Sequence, residues 1–224
     1  MGKLYLVATP IGNLEDVTIR ALRILKEVDL ILAEDTRRAK ILLSKYKISR
    51  PLTSYYEHTP IKKMENIANQ IKSGKNIALI SEAGTPGISD PGQGLVNFLL
   101  ERIPGLDIVP IPGPNAAVAS LSVSGFPTDR FLYLGFLPKK KGRQKLLENL
   151  KSIIENYQYT VIFYESPYRI IKTLRDCQAI LGDREVVVCR ELTKKFEEIY
   201  RGKLSEILKK VQPKGEFVVI LKGK

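Results

Sequence analysis

NIALISEAGTPGISDPGQG (76–94) sets an unbroken apolar run, Asn76–Ile80, directly against a fourteen-residue loop, Ser81–Gly94, that holds four glycines and two prolines. A short apolar run without alternation reads as a strand buried on both faces, the signature of a parallel sheet covered by helices. The same reading extends outward. Lys3–Ala8, Leu30–Ala33, Leu52–Tyr55 and Asp107–Ile111 are further strands. Between them, Glu15–Val28 places Val17, Ala21, Leu22, Ile24, Leu25 and Val28 on one helical face, with Asn13 and Asp16 as its start signal. Lys40–Lys45 lies in a helix, Thr59-Pro60 opens another that Gly74 closes, and Leu95–Arg102 is a fourth. Strand–helix alternation of this kind makes a mainly parallel sheet.

Pro110–Pro114 (PIPGP) is the densest Pro/Gly punctuation and marks the domain seam. Beyond it come a small-residue helix, Ala116–Ser124, the strand Phe131–Gly135, a basic helix Gln144–Asn156, the strand Thr160–Tyr164 and the helix Arg169–Leu181. The strands Glu185–Cys189 and Glu216–Leu221 close the chain, and no internal repeat is present. The expectation is an α/β protein of two lobes, with domains at 1–112 and 113–224.

The chain has 224 residues, 44% of them hydrophobic, with 36 Lys plus Arg against 24 Asp plus Glu, a formal charge of +12. That is enough apolar material for a core, and it excludes low-complexity disorder. No apolar run reaches the roughly 18 residues of a membrane span, and the opening MGKLYLVATP lacks a signal-peptide layout. Two cysteines, Cys177 and Cys189, cannot make a disulfide framework and read as small buried hydrophobes. One histidine, His58, nearly excludes His-centred triads and multi-His metal sites. The chain reads as a basic, soluble, cytoplasmic protein without a metal. Its charge suits either a polyanionic partner or a lysine-rich solvated surface.

In open parallel sheets, ligands bind beyond the carboxyl ends of the strands. Four unusual loops follow apolar runs: Thr9–Asn13 (TPIGN), Ser81–Gly94, Pro112–Ala116 (PGPNA) and Glu165–Arg169 (ESPYR). Glycine permits close approach of backbone to ligand, and proline stiffens the path, so the 81–94 loop suits a cofactor read by backbone atoms. An ordinary long surface turn is the duller alternative. No G-x-G-x-x-G follows the first strand, no P-loop is present, and no G-x-S-x-G elbow occurs.

YLVATPIGNLEDVTIRAL (5–22), AEDTR (33–37), SEAGTPGISDPG (81–92), PGPNAAVASLSVSG (112–125), GFLPKKKGRQ (135–144), FYESPYR (163–169), RELTKKFEE (190–198) and KGEFVVIL (214–221) together span nearly the whole chain. On these stretches the sequence resembles the ribosomal RNA small-subunit methyltransferase I group of the tetrapyrrole-methylase superfamily. The resemblance implies two α/β lobes, with a mainly parallel sheet in the N-terminal lobe, a mixed sheet in the C-terminal lobe, and a cofactor cleft between them. The N-terminal domain would carry the substrate side and the Gly/Pro-rich cofactor loop, the C-terminal domain the cofactor side and the dimer contacts. It implies an enzyme that uses S-adenosyl-L-methionine to methylate the ribose 2′-oxygen of a cytidine in the decoding region of 16S rRNA. It also implies a homodimer acting on 16S rRNA or the small ribosomal subunit.

Site residues follow from placing that chemistry on the loops. The cofactor-binding set is Pro10, Gly84, Thr85, Pro86, Ser89 and Asp90 in the first lobe, Pro112, Gly113, Ala116 and Ser120 at the seam, and Tyr164, Leu192 and Glu216 in the second lobe. The catalytic candidates are Glu34, Asp35, Arg37, Glu82 and Arg190. A carboxylate beside an arginine suits orienting a ribose hydroxyl or accepting its proton, while Asp35 equally suits a helix cap. RNA binding draws on Arg37, Arg38, Lys40, Lys139, Lys140, Lys141, Arg143 and Lys145, which neutralise phosphates. Tyr55, Tyr56 and Tyr168 are either stacking residues or core and rim residues. Two alternatives stand beside this reading: methylation of a tetrapyrrole or corrin precursor, and a non-catalytic RNA-binding protein. The charge of +12 favours RNA over a small macrocycle, and an intact cofactor loop counts against a mere binder.

Overall fold

The computed structural model describes residues 1–139 and 142–223. The chain divides into two compact units, one of Met1–Asn115 and one beginning at Ala116.

The first unit is a five-stranded parallel sheet in the order β3-β2-β4-β1-β5, built from β1 (Leu4–Val7), β2 (Leu30–Ala33), β3 (Leu52–Ser54), β4 (Ile77–Ile80) and β5 (Ile108–Ile111). The strands alternate between two cores because strand side chains point to opposite faces. Leu30, Leu32, Ile77 and Leu79 face α3 (Ile61–Lys72) and α4 (Gln93–Arg102). Ile31, Ala33, Ala78 and Ile80 face α1 (Ile19–Glu27) and α2 (Thr36–Lys45). Both faces are therefore covered, which is why the strands carry no polar alternation. Burying each of these leucines and isoleucines contributes roughly 1.5–3 kcal/mol.

Capping decides two helix starts, of which the first differs from the sequence reading. Asn13 caps only a 3-10 turn, Leu14–Asp16, by accepting from Glu15 N at 3.0 Å. The α-helix starts later, where the Thr18 hydroxyl accepts from Ala21 N. Helix α2 starts at Thr36 and takes in the expected Lys40–Lys45, with the Asp35 carboxylate as its cap, accepting from Arg37 N at 2.8 Å.

The second unit holds a mixed sheet, order β6-β7-β10-β8-β9. Its strands are β6 (Phe131–Phe136), β7 (Thr160–Glu165), β8 (Glu185–Arg190), β9 (Glu198–Lys203) and β10 (Phe217–Leu221). Only β6 and β7 run parallel; the other pairings are antiparallel. Helices α6 (Arg143–Tyr157), α7 (Ile170–Leu181) and α8 (Leu204–Lys210) pack on one face and α5 (Ala116–Ser122) on the other. Strand β9 and helix α8 have no counterpart in the sequence reading. β9 (EIYRGK) is a polar edge strand, and charge on an edge blocks further pairing.

Candidate active site

The site of the first unit follows from its topology. Strand β1 feeds α1 on one face and its neighbour β4 feeds α4 on the other, so the chain parts at their carboxyl ends. That is the switch point at which α/β sheets bind ligands. The loops meeting there are tied together: Thr9 N donates to Gly84 O at 2.9 Å and Gly84 N to Thr9 O at 3.0 Å. The Thr9 hydroxyl donates to Ser81 O at 3.4 Å, and the Thr85 hydroxyl donates to Pro114 O at 3.3 Å, bringing the PGPNA segment to the same edge. Gly84 sits at φ 82° and Ser89, without a glycine's freedom, at φ 60°. A side chain in the left-handed region costs of order 1 kcal/mol or more and marks loops whose shape is over-determined.

This edge gathers Pro10, Gly84, Thr85, Pro86, Ser89, Asp90, Pro112 and Gly113 from the expected cofactor set, and Glu34, Asp35, Arg37 and Glu82 from the catalytic one. The carboxyls there differ sharply. Asp35 is engaged by the Arg37 guanidinium (Nη2 at 2.8 Å) and by the Arg37 amide, which together hold it down at about 2. Burial lifts Asp90 to about 6, with the charges of Glu34 and Glu82 adding to the rise against a hydrogen bond from Ser81. Burial, then Glu82, also raises Glu34. Arg38 neutralises Glu82 at 2.9 Å. The result is a local negative field in a chain of net +12, formed by three mutually repelling carboxyls and only partly cancelled. A half-buried carboxyl poised near neutrality is the kind of group found where protons or cations are handled.

In the second unit Ala116, Ser120, Tyr164, Leu192 and Glu216 belong to segments around one face of the sheet. Leu192 and Tyr164 pack against the cluster that includes Cys189 and Val218. Glu191 (φ 50°) and Thr193 (φ 62°) hold the chain in the left-handed region on both sides of Leu192. The Lys194 ammonium fastens this turn, 3.1 Å from Glu191 Oε1 and 2.9 Å from Glu216 Oε2.

Three expected site residues are consumed by structure. Arg143 is buried rather than available to phosphates. Its Nη2 donates to the Thr173 hydroxyl at 2.5 Å, its Nη1 is 3.9 Å from Glu165, and its Nε lies 3.1 Å from Asp176 at ion-pair distance without hydrogen-bond alignment. Its neighbours in sequence, Lys139 and Lys145, are exposed; Lys140 and Lys141 lie outside the described residues. Arg190 is also buried, its guanidinium held by Glu198 and by Lys214 O at 2.5 Å. Ser120 has no exposed surface, and its hydroxyl donates back to Ala116 O within α5. Tyr55 is a core residue and Tyr56 a partly exposed one, while Tyr168 is 95% exposed. Cys177 and Cys189 are buried, which pushes their thiols up to about 12 and about 11. Sequence reasoning missed Lys194, although its position between two glutamates and two left-handed residues leaves no trace in composition.

Among the described residues no cluster of three metal-ligating side chains occurs, and no helix is long and apolar enough to cross a membrane. Known proteins add a family context. Residues 3–208 match the family model of tetrapyrrole (corrin/porphyrin) methylases. The chain is 50% identical over 227 residues to a ribosomal RNA small subunit methyltransferase I of Thermotoga maritima, covering the whole of both chains. Among solved structures, a diphthine synthase superposes with a TM-score of 0.78 at 13% identity, covering 100% of this chain and 90% of that one. A uroporphyrin-III C-methyl transferase of Thermus thermophilus, complexed with S-adenyl homocysteine, does so at 0.65 and 21%, covering 99% and 97%.

Proposed function

The chain belongs to the tetrapyrrole methylase family, and from that premise we propose that it transfers the methyl group of S-adenosyl-L-methionine to the 2′-oxygen of a cytidine ribose in the decoding region of 16S rRNA. The observation that carries the RNA substrate is the 50% identity, end to end, with a ribosomal RNA small subunit methyltransferase I. The charge of +12 and the exposed Arg37, Lys40, Lys139 and Lys145 support it.

The residues at the β1/β4 edge fit a sulfonium donor. A sulfonium cation carrying polar methionine and adenosine parts suits an edge with stiff backbone amides and carbonyls at 84–86 and a negative field from Glu34, Glu82 and Asp90. In this reading Pro10, Gly84, Thr85, Pro86, Ser89, Asp90, Pro112, Gly113 and Ala116 hold the cofactor, with Tyr164, Leu192 and Glu216 from the second unit. When bound, the cofactor supplies an already activated methyl carbon, so the protein has two tasks: aligning the ribose oxygen and removing its proton.

Among the carboxyls, Glu34 is the proton acceptor this reading favours. Asp35 is too weakly basic, being tied to Arg37, whereas burial and the charge of Glu82 raise Glu34 above its ordinary value. Arg37, 89% exposed at its side chain, and Arg38 meet phosphates at the same edge. The reading also carries a homodimer, a cytoplasmic site of action, the substrate side on the first unit and the dimer contacts on the second.

The test is transfer of labelled methyl to unmethylated small subunits, naked 16S rRNA and a corrin precursor in parallel. Label in RNA or subunits supports the reading; label in the corrin alone ends it.

A further inference from the structure

We infer that Tyr168 is a stacking platform for an unpaired base of the RNA substrate, held out by a turn that the protein interior makes rigid. The inference rests on the RNA reading above and goes beyond it by naming a recognition residue.

Tyr168 is 95% exposed, more than any other large apolar side chain that reaches the surface. The turn bearing it is nonetheless pinned. Glu165, 1% exposed, accepts from Ser166 N at 2.7 Å through one oxygen, which also lies 2.7 Å from the Arg169 guanidinium as an ion pair, and from the Thr173 hydroxyl at 2.5 Å through the other. Arg169 N and Ile170 N both donate to Ser166 O, at 3.1 and 3.0 Å. Pro167 further restricts the backbone. A buried, fully engaged carboxylate thus fixes a turn whose outermost ring gains nothing from the core.

The turn is tied to a segment that carries positive charge. Arg169 Nη1 donates to Leu137 O at 2.9 Å, tying the turn to the segment that leads two residues later to exposed Lys139. A rigidly held, exposed aromatic on a turn tied to a segment that carries an exposed lysine suits single-stranded RNA, with the lysine on a phosphate and the ring on a splayed base. Because the turn is already ordered, little conformational entropy is lost on stacking.

The test uses the full chain and a 16S rRNA fragment spanning the decoding region. The sequence contains no tryptophan, so Tyr168→Trp places a single indole at the platform. Tyr168→Trp should bind RNA as wild type does, with its emission quenched on saturation. Tyr168→Ala should weaken binding roughly five- to a hundredfold, as loss of one stacked base does, with the salt slope unchanged because no phosphate contact is lost. Wild-type affinity in Tyr168→Ala, or indole emission untouched by saturating RNA, overturns the inference while leaving the proposed function standing. A changed sedimentation coefficient for Tyr168→Ala at unaltered RNA affinity assigns the ring to a subunit contact and also overturns it. Failure of the wild-type chain to bind the fragment would instead strike the proposed function, and the inference with it.

Discussion

Thr9 and Gly84 exchange both of their backbone hydrogen bonds, at 2.9 and 3.0 Å, although 75 residues separate them. This is a single antiparallel bridge laid across the ends of two parallel strands. It joins the TPIGN and SEAGTPGISDPG loops into one unit of backbone, so the geometry at either depends on the other.

Gly84→Ala tests that coupling. An added Cβ would meet Ile11 Cγ2 at an ordinary 3.5 Å, so the cost is conformational, arising from φ 82° rather than from a clash. The expected loss of stability is about 1 kcal/mol, a fall in Tm of roughly 2–4 °C for a chain of this size. Calorimetric affinity for S-adenosylmethionine should fall at least tenfold, because the loop moves to relieve the strain.

Asp90→Asn should stabilise the protein at neutral pH. A carboxyl raised from 3.8 to about 6 on folding keeps its proton in the native state while the unfolded chain has lost it. Its contribution is therefore most favourable below about pH 3.8, declines as pH rises to about 6, and stays at its least favourable above that. Melting curves from pH 4 to 8 should show the variant's advantage growing across this window. A pH-independent difference would contradict the assignment.

Arg143 and its basic neighbours should separate cleanly. Arg143→Met removes one cation from the Glu165–Asp176 cluster and should cost about 3 kcal/mol, as breaking a buried pair does. Lys139→Ala with Lys145→Ala should leave Tm within a degree or so and reduce the salt slope of RNA binding by about 2, one unit per lysine.

Lys194→Met should loosen the turn around Leu192. Burial alone would raise Glu191, but the Glu216 amide and the Lys194 ammonium outweigh it and hold that carboxyl low. Without the ammonium, the turn keeps the direct hydrogen bonds between Glu191 and Glu216 and loses the cation that bridges their two carboxylates. The expected result is a several-fold rise in KM for S-adenosylmethionine with kcat little changed, restored by Lys194→Arg.

The parallel sheet was legible because continuous apolar runs such as NIALI are dictated by burial on two faces, a constraint that composition records directly. The strand-end loops were legible for a related reason: backbone that must turn sharply needs glycine and proline. What stayed hidden depends on partners distant in sequence. Arg143 reads as one more cation after KKK until Glu165 and Asp176, 22 and 33 residues on, are seen to enclose it. Arg190 likewise reads as a free charge until Glu198 pairs with it across β8 and β9. Strand β9 was missed because an edge strand is polar, and polarity in a sequence reads as loop. Helix α8 carries Leu204 and Ile207, with Val211 at its C-cap, at helical spacing but spans only seven residues, too few for periodicity to stand out.

The central claim is that the methyl group reaches a ribose oxygen, and alkaline hydrolysis of labelled product tests it most directly. A methylated 2′-oxygen cannot attack the adjoining phosphodiester, so the label is predicted to survive in an alkali-resistant dinucleotide that begins with cytidine. Label released entirely as mononucleotides would place the methyl on a base and contradict the account.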